Sequence, residues 1–295
     1  HKDFIFDYGP HSFHEQLEEP VALIKRFVGE ELLYNRFRSQ IHFEGNFFDH
    51  PLTLRALFGI RLSLQLRSYF DFLASRTRHL LLSESDDTYE DWVVHRFGRT
   101  LYDRYFGSYT QKVWGISPSL LAPDFASARI PESSLWEVLL RLLFGERMRH
   151  ASDKHAHSPY GRGFFYPRNG SGDLYEKMGE AIRARGGKIL LDSKIRRLRI
   201  ESGRVVSAEI ESPEGAAEIE PEVVFSTMPL PGLFRLLAPA PPEEVLAAAG
   251  ALRYRAIILL YLVLRRDRVS PYHWTYFSGI DQPLNRVSEM KNFSE

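Results

Sequence analysis

The chain has 295 residues, 44% of them hydrophobic and 26% charged, which is the make-up of a globular protein and excludes collagen-like, coiled-coil and disordered classes. Its 38 basic residues equal its 38 acidic ones, so no overall field collects nucleic acid or an anionic membrane surface. Cysteine is absent, which removes disulfides, thiolate metal ligands, iron–sulfur clusters and cysteine nucleophiles.

The first residues alternate apolar side chains, Phe4 and Phe6, and run into a Gly9-Pro10 turn, which predicts an opening strand. Neither an initiator Met nor a signal pattern precedes it. Glu18 to Phe27 reads as a short helix, and Tyr34 to Phe48 as short strands around a turn at Gly45-Asn46. From Pro51 to about Leu82 the chain is dense in Leu, Phe and Arg. Ile60, Leu62, Leu64 and Leu66 alternate like a strand, but the length of the run favours helix. Thr88 is placed to cap a further helix, with Glu90 and Asp91 in its first turn. Trp92, Val93, Phe97, Leu101 and Tyr105 then form one apolar stripe at helical spacing. Another helix is expected from Glu132 to about Arg149, which makes residues 35 to 150 a mainly helical block.

The pattern changes at residue 150, where a loop rich in Gly, Pro and polar side chains begins. Asp173 to Arg185 is an amphipathic helix stopped by Gly186-Gly187. Strands are predicted at Lys188 to Asp192, Ile195 to Ile200, Val205 to Ile210, Ala217 to Ile219 and Val223 to Ser226, with turns at Ser202-Gly203 and at Pro213 to Gly215. A helix from about Glu243 to Ala249 and a strand-like run from Tyr254 to Leu264 follow, then aromatic strand pieces after residue 272. The longest apolar stretch, Ala256 to Leu264, falls far short of the ~20 residues of a membrane helix. Both ends read as interior sequence, so the chain is expected to be the middle of a longer protein.

Three segments suit ligand chemistry. In Asp7-Tyr8-Gly9-Pro10-His11, a glycine at a strand end lets backbone approach a ligand and His11 can donate a hydrogen bond; a surface turn explains the same residues. Tyr166-Pro167-Arg168-Asn169-Gly170-Ser171-Gly172-Asp173 enters a helix, where amides can meet an anion, or simply caps it. It is neither a Walker loop nor the Gly-x-Gly-x-x-Gly fingerprint. Val223 to Pro231 is an apolar strand ending in hydroxyl residues and prolines, the kind of strand tip where ligands of α/β sheets collect. His150, His155 and His157 with Asp153 are the one metal-like cluster in the sequence pattern. Their spacing fits no standard zinc pattern, and no metal is expected. No Gly-x-Ser-x-Gly elbow or paired carboxylates point to a hydrolase.

The order of these pieces resembles the FAD-dependent amine oxidase superfamily, in its protoporphyrinogen oxidase, phytoene desaturase and UDP-galactopyranose mutase branches. FDYGPHSFH is similar to the family's Asp-x-Gly-x-His turn, and YEDWVVHRFGRTLYDRYFGSYTQKVWG to its substrate-domain helix. YPRNGSGDLYEKMGEAIRARGGKILLDSKIRRLRIESGRV is similar to the segment that returns to the flavin domain, and VVFSTMPLP to the next strand. The resemblance implies an α/β protein of mixed α+β content: a partial Rossmann-like FAD domain (1–34 and 151–238) and an inserted, mainly helical substrate domain (35–150 and 239–295). It implies FAD as cofactor, with Gly9 and His11 near the isoalloxazine, Ile195 at the adenine, and Ser226, Thr227 and Pro229 beside the adenosine or pyrophosphate. Tyr160, Arg162 and Tyr166 are candidates to line the substrate cavity, and Arg286 to pair with a diphosphate.

The family's Gly-x-Gly-x-x-Gly unit would precede Phe4 and its late Gly-Asp flavin segment would follow Glu295, so the chain as it stands is expected to lack the main phosphate anchor. The implied activity is oxidation of a C–H or C–N bond in a small or hydrophobic substrate. The alternatives are a mutase-like flavoenzyme acting on a nucleotide sugar without net redox, and a non-enzymatic binding module. No catalytic base is assigned. A small-molecule substrate, no nucleic acid and a cytoplasmic location are expected, with peripheral membrane contact through the helices of residues 51 to 82 as a secondary expectation.

Overall fold

In the computed structural model, which describes residues 4–9, 11–43, 45–50, 61–130 and 163–294, a two-residue strand β1 (Phe13–His14) leads into helix α1 (Glu18–Val28). The helix forms because Val21, Ile24 and Val28 recur on one face and are all buried, with Glu18 and Glu19 at its positive end and Lys25 and Arg26 at its negative end. Strands β2 (Leu32–Arg36), β3 (Ser39–Phe43) and β4 (Asn46–His50) follow. Helix α2 (Leu62–Leu82) then meets α3 (Tyr89–Phe97) across a short loop. The cap at Thr88 forms as expected: its hydroxyl accepts from the Asp91 N–H at 3.1 Å, and Asp91 returns a bond to the Thr88 N–H at 3.2 Å.

The stripe from Trp92 to Tyr105 is not one helix. Gly98 stops α3 at φ +86°, and a Cβ there would stand 3.0 Å from the Phe72 backbone nitrogen. The glycine therefore permits both the break and the close crossing of α2. The Thr100 N–H donates to Asp71 Oδ2 at 2.5 Å just beyond it. One helical turn (Arg99–Leu101) and a π-helical turn (Tyr102–Phe106) carry the chain into α4 (Gly107–Trp114), and α5 (Pro123–Ser127) closes the block. Tyr89, Trp92, Val93, Tyr102 and Ala126 form its core.

Beyond residue 162 come β5 (Gly163–Pro167), α6 (Gly172–Ala184), β6 (Lys194–Glu201), β7 (Arg204–Ser212), β8 (Gly215–Ile219), α7 (Leu230–Phe234), β9 (Leu237–Ala238), α8 (Glu243–Gly250), β10 (Trp274–Phe277) and β11 (Arg286–Ser288). The chain divides into two compact units, His1–Lys177 with Leu259–Glu295, and Met178–Ile258. The larger unit holds the sheets β1-β5-β2 and β11-β10-β3-β4, in which β10 runs parallel to β3. A second aromatic core, Phe164, Tyr166, Trp274 and Phe293, belongs to this unit. The smaller unit holds β8-β7-β6-β9, its hairpin closed by Ser202 and Gly203, both at positive φ.

Mixed helix and strand content agrees with the expected α/β class. Four expected strands do not form. Phe4 to Asp7, Lys188 to Asp192, Val223 to Ser226 and Tyr254 to Leu264 have no ladder partner among the described residues. A strand needs a neighbour for its N–H and C=O groups, and alternation alone supplies none. Their apolar side chains stay accordingly exposed, Phe225 by 92% and Ile258 by 95%. The expected helix at Glu132 to Arg149, the histidine cluster at 150–157, and Tyr160 and Arg162 lie outside the described residues. Among the described residues no helix is long and apolar enough to cross a membrane.

Candidate functional site

The most constrained polar group of the larger unit is the Asp7 carboxylate, which ends the Phe4–Phe6 run and is buried. It accepts the Tyr166 hydroxyl at 2.6 Å, the Ser171 N–H at 2.9 Å and the Ser171 hydroxyl at 2.9 Å. Tyr166 is brought there by β5, and Ser171 by the Gly170 turn that opens α6. Gly170 is required twice. It sits at φ +85°, and a Cβ would stand 2.8 Å from Ile5 Cγ2 and 3.1 Å from Asp7 Oδ1. The Asp7 backbone is held as well: its carbonyl accepts the Tyr261 hydroxyl, and the same hydroxyl accepts the Gly9 N–H at 3.3 Å. Phe6 lies against the Tyr261 ring, with centroids 4.8 Å apart.

The result is a pinned turn. Gly9 is at φ +94°, and a Cβ on it would meet only Leu259, at 3.9 Å. Tyr8 and His11 are exposed on either side. Backbone at Gly9 is thus open to a flat ligand while Asp7 is fully engaged beneath it. Burial, and then the bond to Asp7, push the Tyr166 phenol well above its ordinary pKa. Tyr166 therefore keeps its proton on the Asp7 side and is a positioning group, not a proton donor to chemistry near neutral pH.

Among the expected site residues, Gly9, His11, Tyr166 and Arg286 belong to the larger unit, and Ile195, Ser226, Thr227 and Pro229 to the smaller. Gly9 and Tyr166 are linked through Asp7 and Tyr261, whereas Arg286 is an exposed residue of β11 paired with Tyr276. In the smaller unit Ile195 pairs with Ile210 near the start of the β6–β7 ladder. Ser226 and Thr227 lie in exposed coil, where the Ser226 hydroxyl accepts the Met228 N–H at 3.3 Å, and Pro229 precedes α7. Asp7 and Tyr261 were not among the expected site residues. An acid between an apolar run and a glycine is the local signal for the first; Tyr261 has none, because its partner lies more than 250 positions away.

A flavin can be tested against these groups. At the ring end they fit, since the Gly9 turn offers backbone without a side chain on a rigid base. In the smaller unit the Ser226 and Thr227 hydroxyls are exposed, and the sequence contains no Gly-x-Gly-x-x-Gly.

The family model described as flavin containing amine oxidoreductase matches residues 1–268. A curated relative, a probable UDP-galactopyranose mutase from Klebsiella pneumoniae, is 27% identical over 132 residues, which is 42% of this chain and 31% of the relative. A crystal structure of reduced UDP-galactopyranose mutase superposes with a TM-score of 0.75 at 15% identity, over 98% of this chain and 59% of that one. An oxidoreductase from Methanosarcina mazei superposes with a TM-score of 0.54 at 12% identity, over 94% of this chain and 61% of the other. The chain thus spans about a third of the curated relative and under two thirds of these structures.

Proposed function

Because the chain belongs to the flavin containing amine oxidoreductase family, a family whose cofactor is FAD, we propose that these residues form the ring-facing wall and substrate-side sheet of an FAD enzyme. The carrying observation is the Asp7 network, which spends a buried carboxylate on fixing a glycine turn instead of on an exposed reactive group. FAD supplies acceptance and return of a hydride or electron pair when bound. Gly9 and His11 would face the ring, Ile195 the adenine, and Ser226, Thr227 and Pro229 the adenosine or pyrophosphate.

The protein's own share of the chemistry is position. Asp7 holds the Tyr166 proton and both Ser171 donors, so the Gly9 turn cannot swing when a ligand arrives. Phe6, Tyr261 and Leu259 place apolar surface beside it, each still more than a third exposed. We also propose the division of the chain into flavin-domain segments (1–34 and 151–238) and substrate-domain segments (35–150 and 239–295). The parallel pairing of β10 with β3 supports it, since both strands come from the substrate-domain segments.

Two reactions suit such a site. The first is oxidation of a C–H or C–N bond, supported by the family description. The second is a mutase-like rearrangement of a nucleotide sugar on reduced flavin, with exposed Arg286 as a diphosphate partner. The similarity to UDP-galactopyranose mutase in sequence and in fold favours this second reading. Incubating the FAD-loaded protein with UDP-galactopyranose under dithionite, and separately with amines under oxygen, distinguishes the two. Ring-contracted product without oxygen uptake supports the mutase; peroxide formation with an amine supports the oxidase. Activity in neither assay, with flavin bound, contradicts both.

A further inference from the structure

A second polar cluster lies at the mouth of the α2–α3 hairpin, among residues that the flavin reading does not use. His79 comes from the last turn of α2, Glu84 and Asp86 from the loop, and His95 from α3. The two imidazoles stack, with centroids 4.6 Å apart and planes 23° apart. His95 Nδ1 is 2.7 Å from Asp86 Oδ1, and its Nε2 is 3.3 Å from Glu84 Oε2. Each carboxylate gives its other oxygen to an arginine: Asp86 Oδ2 to Arg96 at 2.5 Å, and Glu84 Oε1 to Arg78 at 2.8 Å. Arg96 is fixed in turn over the Trp92 ring at 4.3 Å.

The inner face of this cluster has more acceptors than donors. His95 Nδ1 and Asp86 Oδ1 face each other, so a cation that replaced the proton between them would be held by both. His79 Nδ1 is buried and has no hydrogen-bond partner. A buried orphan of this kind is unfavourable and calls for a missing partner. One ligand atom from each of His79, Asp86 and His95 falls within 4.8 Å of the others. Zinc with bonds near 2.0–2.2 Å holds tetrahedral ligands roughly 3.4 Å apart, so small side-chain rotations would gather these atoms around one ion.

We propose that His79, Asp86 and His95 bind a divalent metal ion of the zinc class. Two imidazoles and a carboxylate oxygen are a donor set that borderline metals favour over Mg2+ or Ca2+. Arg96 acts behind the ligands, taking the outer oxygen of Asp86 and leaving the inner one for the ion. With three protein ligands the ion ties the end of α2 to α3 and keeps a fourth position for water.

The test is Zn2+ titration of the full chain by calorimetry, paired with the visible spectrum of the Co2+-loaded protein and with thermal unfolding. The expected result is one equivalent bound at micromolar metal, a tetrahedral Co2+ spectrum and a Tm raised by several degrees on Zn2+ addition. The His79→Ala/His95→Ala double variant should bind at least tenfold more weakly and lose the Tm rise. The milder His79→Gln variant, which keeps the helix end polar and filled, should also weaken binding about tenfold. The His155→Ala/His157→Ala variant, in the histidine-rich stretch of the sequence, should bind like the parent. No binding by the parent chain, an octahedral Co2+ spectrum, or full binding by the His79/His95 variants overturns the proposal.

Discussion

A buried aspartate and a half-buried one organise this chain in opposite ways. Asp7 is surrounded by donors, the Tyr166 hydroxyl and the Ser171 N–H and hydroxyl, so its demands are met by protein alone. Asp86 shares its surroundings with a second carboxylate, Glu84, and with the His95 ring, and is balanced by Arg96 at its outer edge. The lesson is that burial of a carboxylate does not define its role; the partners' hydrogen-bond character does. A donor shell makes a structural anchor, here beneath a turn open to a ligand. An acceptor-rich shell is one that a cation completes.

Breaking the donor shell should have the largest effect. Asp7→Ala strands three buried donors at about 1–3 kcal/mol each, so it should destabilise the larger unit by roughly 3 kcal/mol or more in urea unfolding. Cooperative neighbours make the sum an upper guide. A stability loss under about 1 kcal/mol would show that Asp7 is not the anchor.

Next comes the helix crossing at Gly98, beside Asp71 and Phe72 of α2. Gly98→Ala puts a Cβ at positive φ and 3.0 Å from the Phe72 nitrogen, and should cost about 1–3 kcal/mol. If urea midpoints are unchanged, the helices are not held by close backbone approach. Thr88→Ala, which removes the cap at the other end of α3, should cost about 1 kcal/mol; it asks whether the α3 start is held locally or by the cluster.

The smallest effect is on pH. The Tyr166 phenol has a folded-state pKa raised above its unfolded value of 10.0, through burial first and the Asp7 bond second. Its contribution is therefore fully present below pH 10 and is lost as pH rises above 10 toward the folded value. Tyr166→Phe should flatten the alkaline fall in stability, at a cost of about 1 kcal/mol near neutral pH. An unchanged alkaline slope would mean that another group carries it. Tyr102, similarly raised by burial and by Glu90, is the control.

What the sequence revealed divides along the same line between local and distant causes. Helix α1, the Thr88 cap, the Gly186-Gly187 stop and the β6–β7–β8 hairpins were legible because each depends on residues a few positions apart. The strand-like runs at 188–192, 223–226 and 254–264 misled, because apolar alternation records a fit to a sheet but not the presence of a neighbour. Gly98 was hidden by an apolar stripe that continues through it in spacing while the helix does not. The candidate site was half legible: Gly9 could be nominated as a turn glycine, but its anchoring by Tyr166, Ser171 and Tyr261 spans most of the chain. The His79–Asp86–His95 cluster was missed for a related reason. Its members are spread over 17 positions in no standard ligand spacing, whereas the denser histidines near residue 155 drew the eye.

The central claim is that the Asp7-pinned Gly9 turn is the flavin-facing wall. FAD titration followed by flavin fluorescence, run side by side for the parent chain and for Asp7→Asn with folding checked by circular dichroism, tests it most directly. The account predicts at least a tenfold weaker affinity in the variant, since Asn cannot accept all three donors and the turn loosens. Equal affinities for the two folded proteins would contradict it.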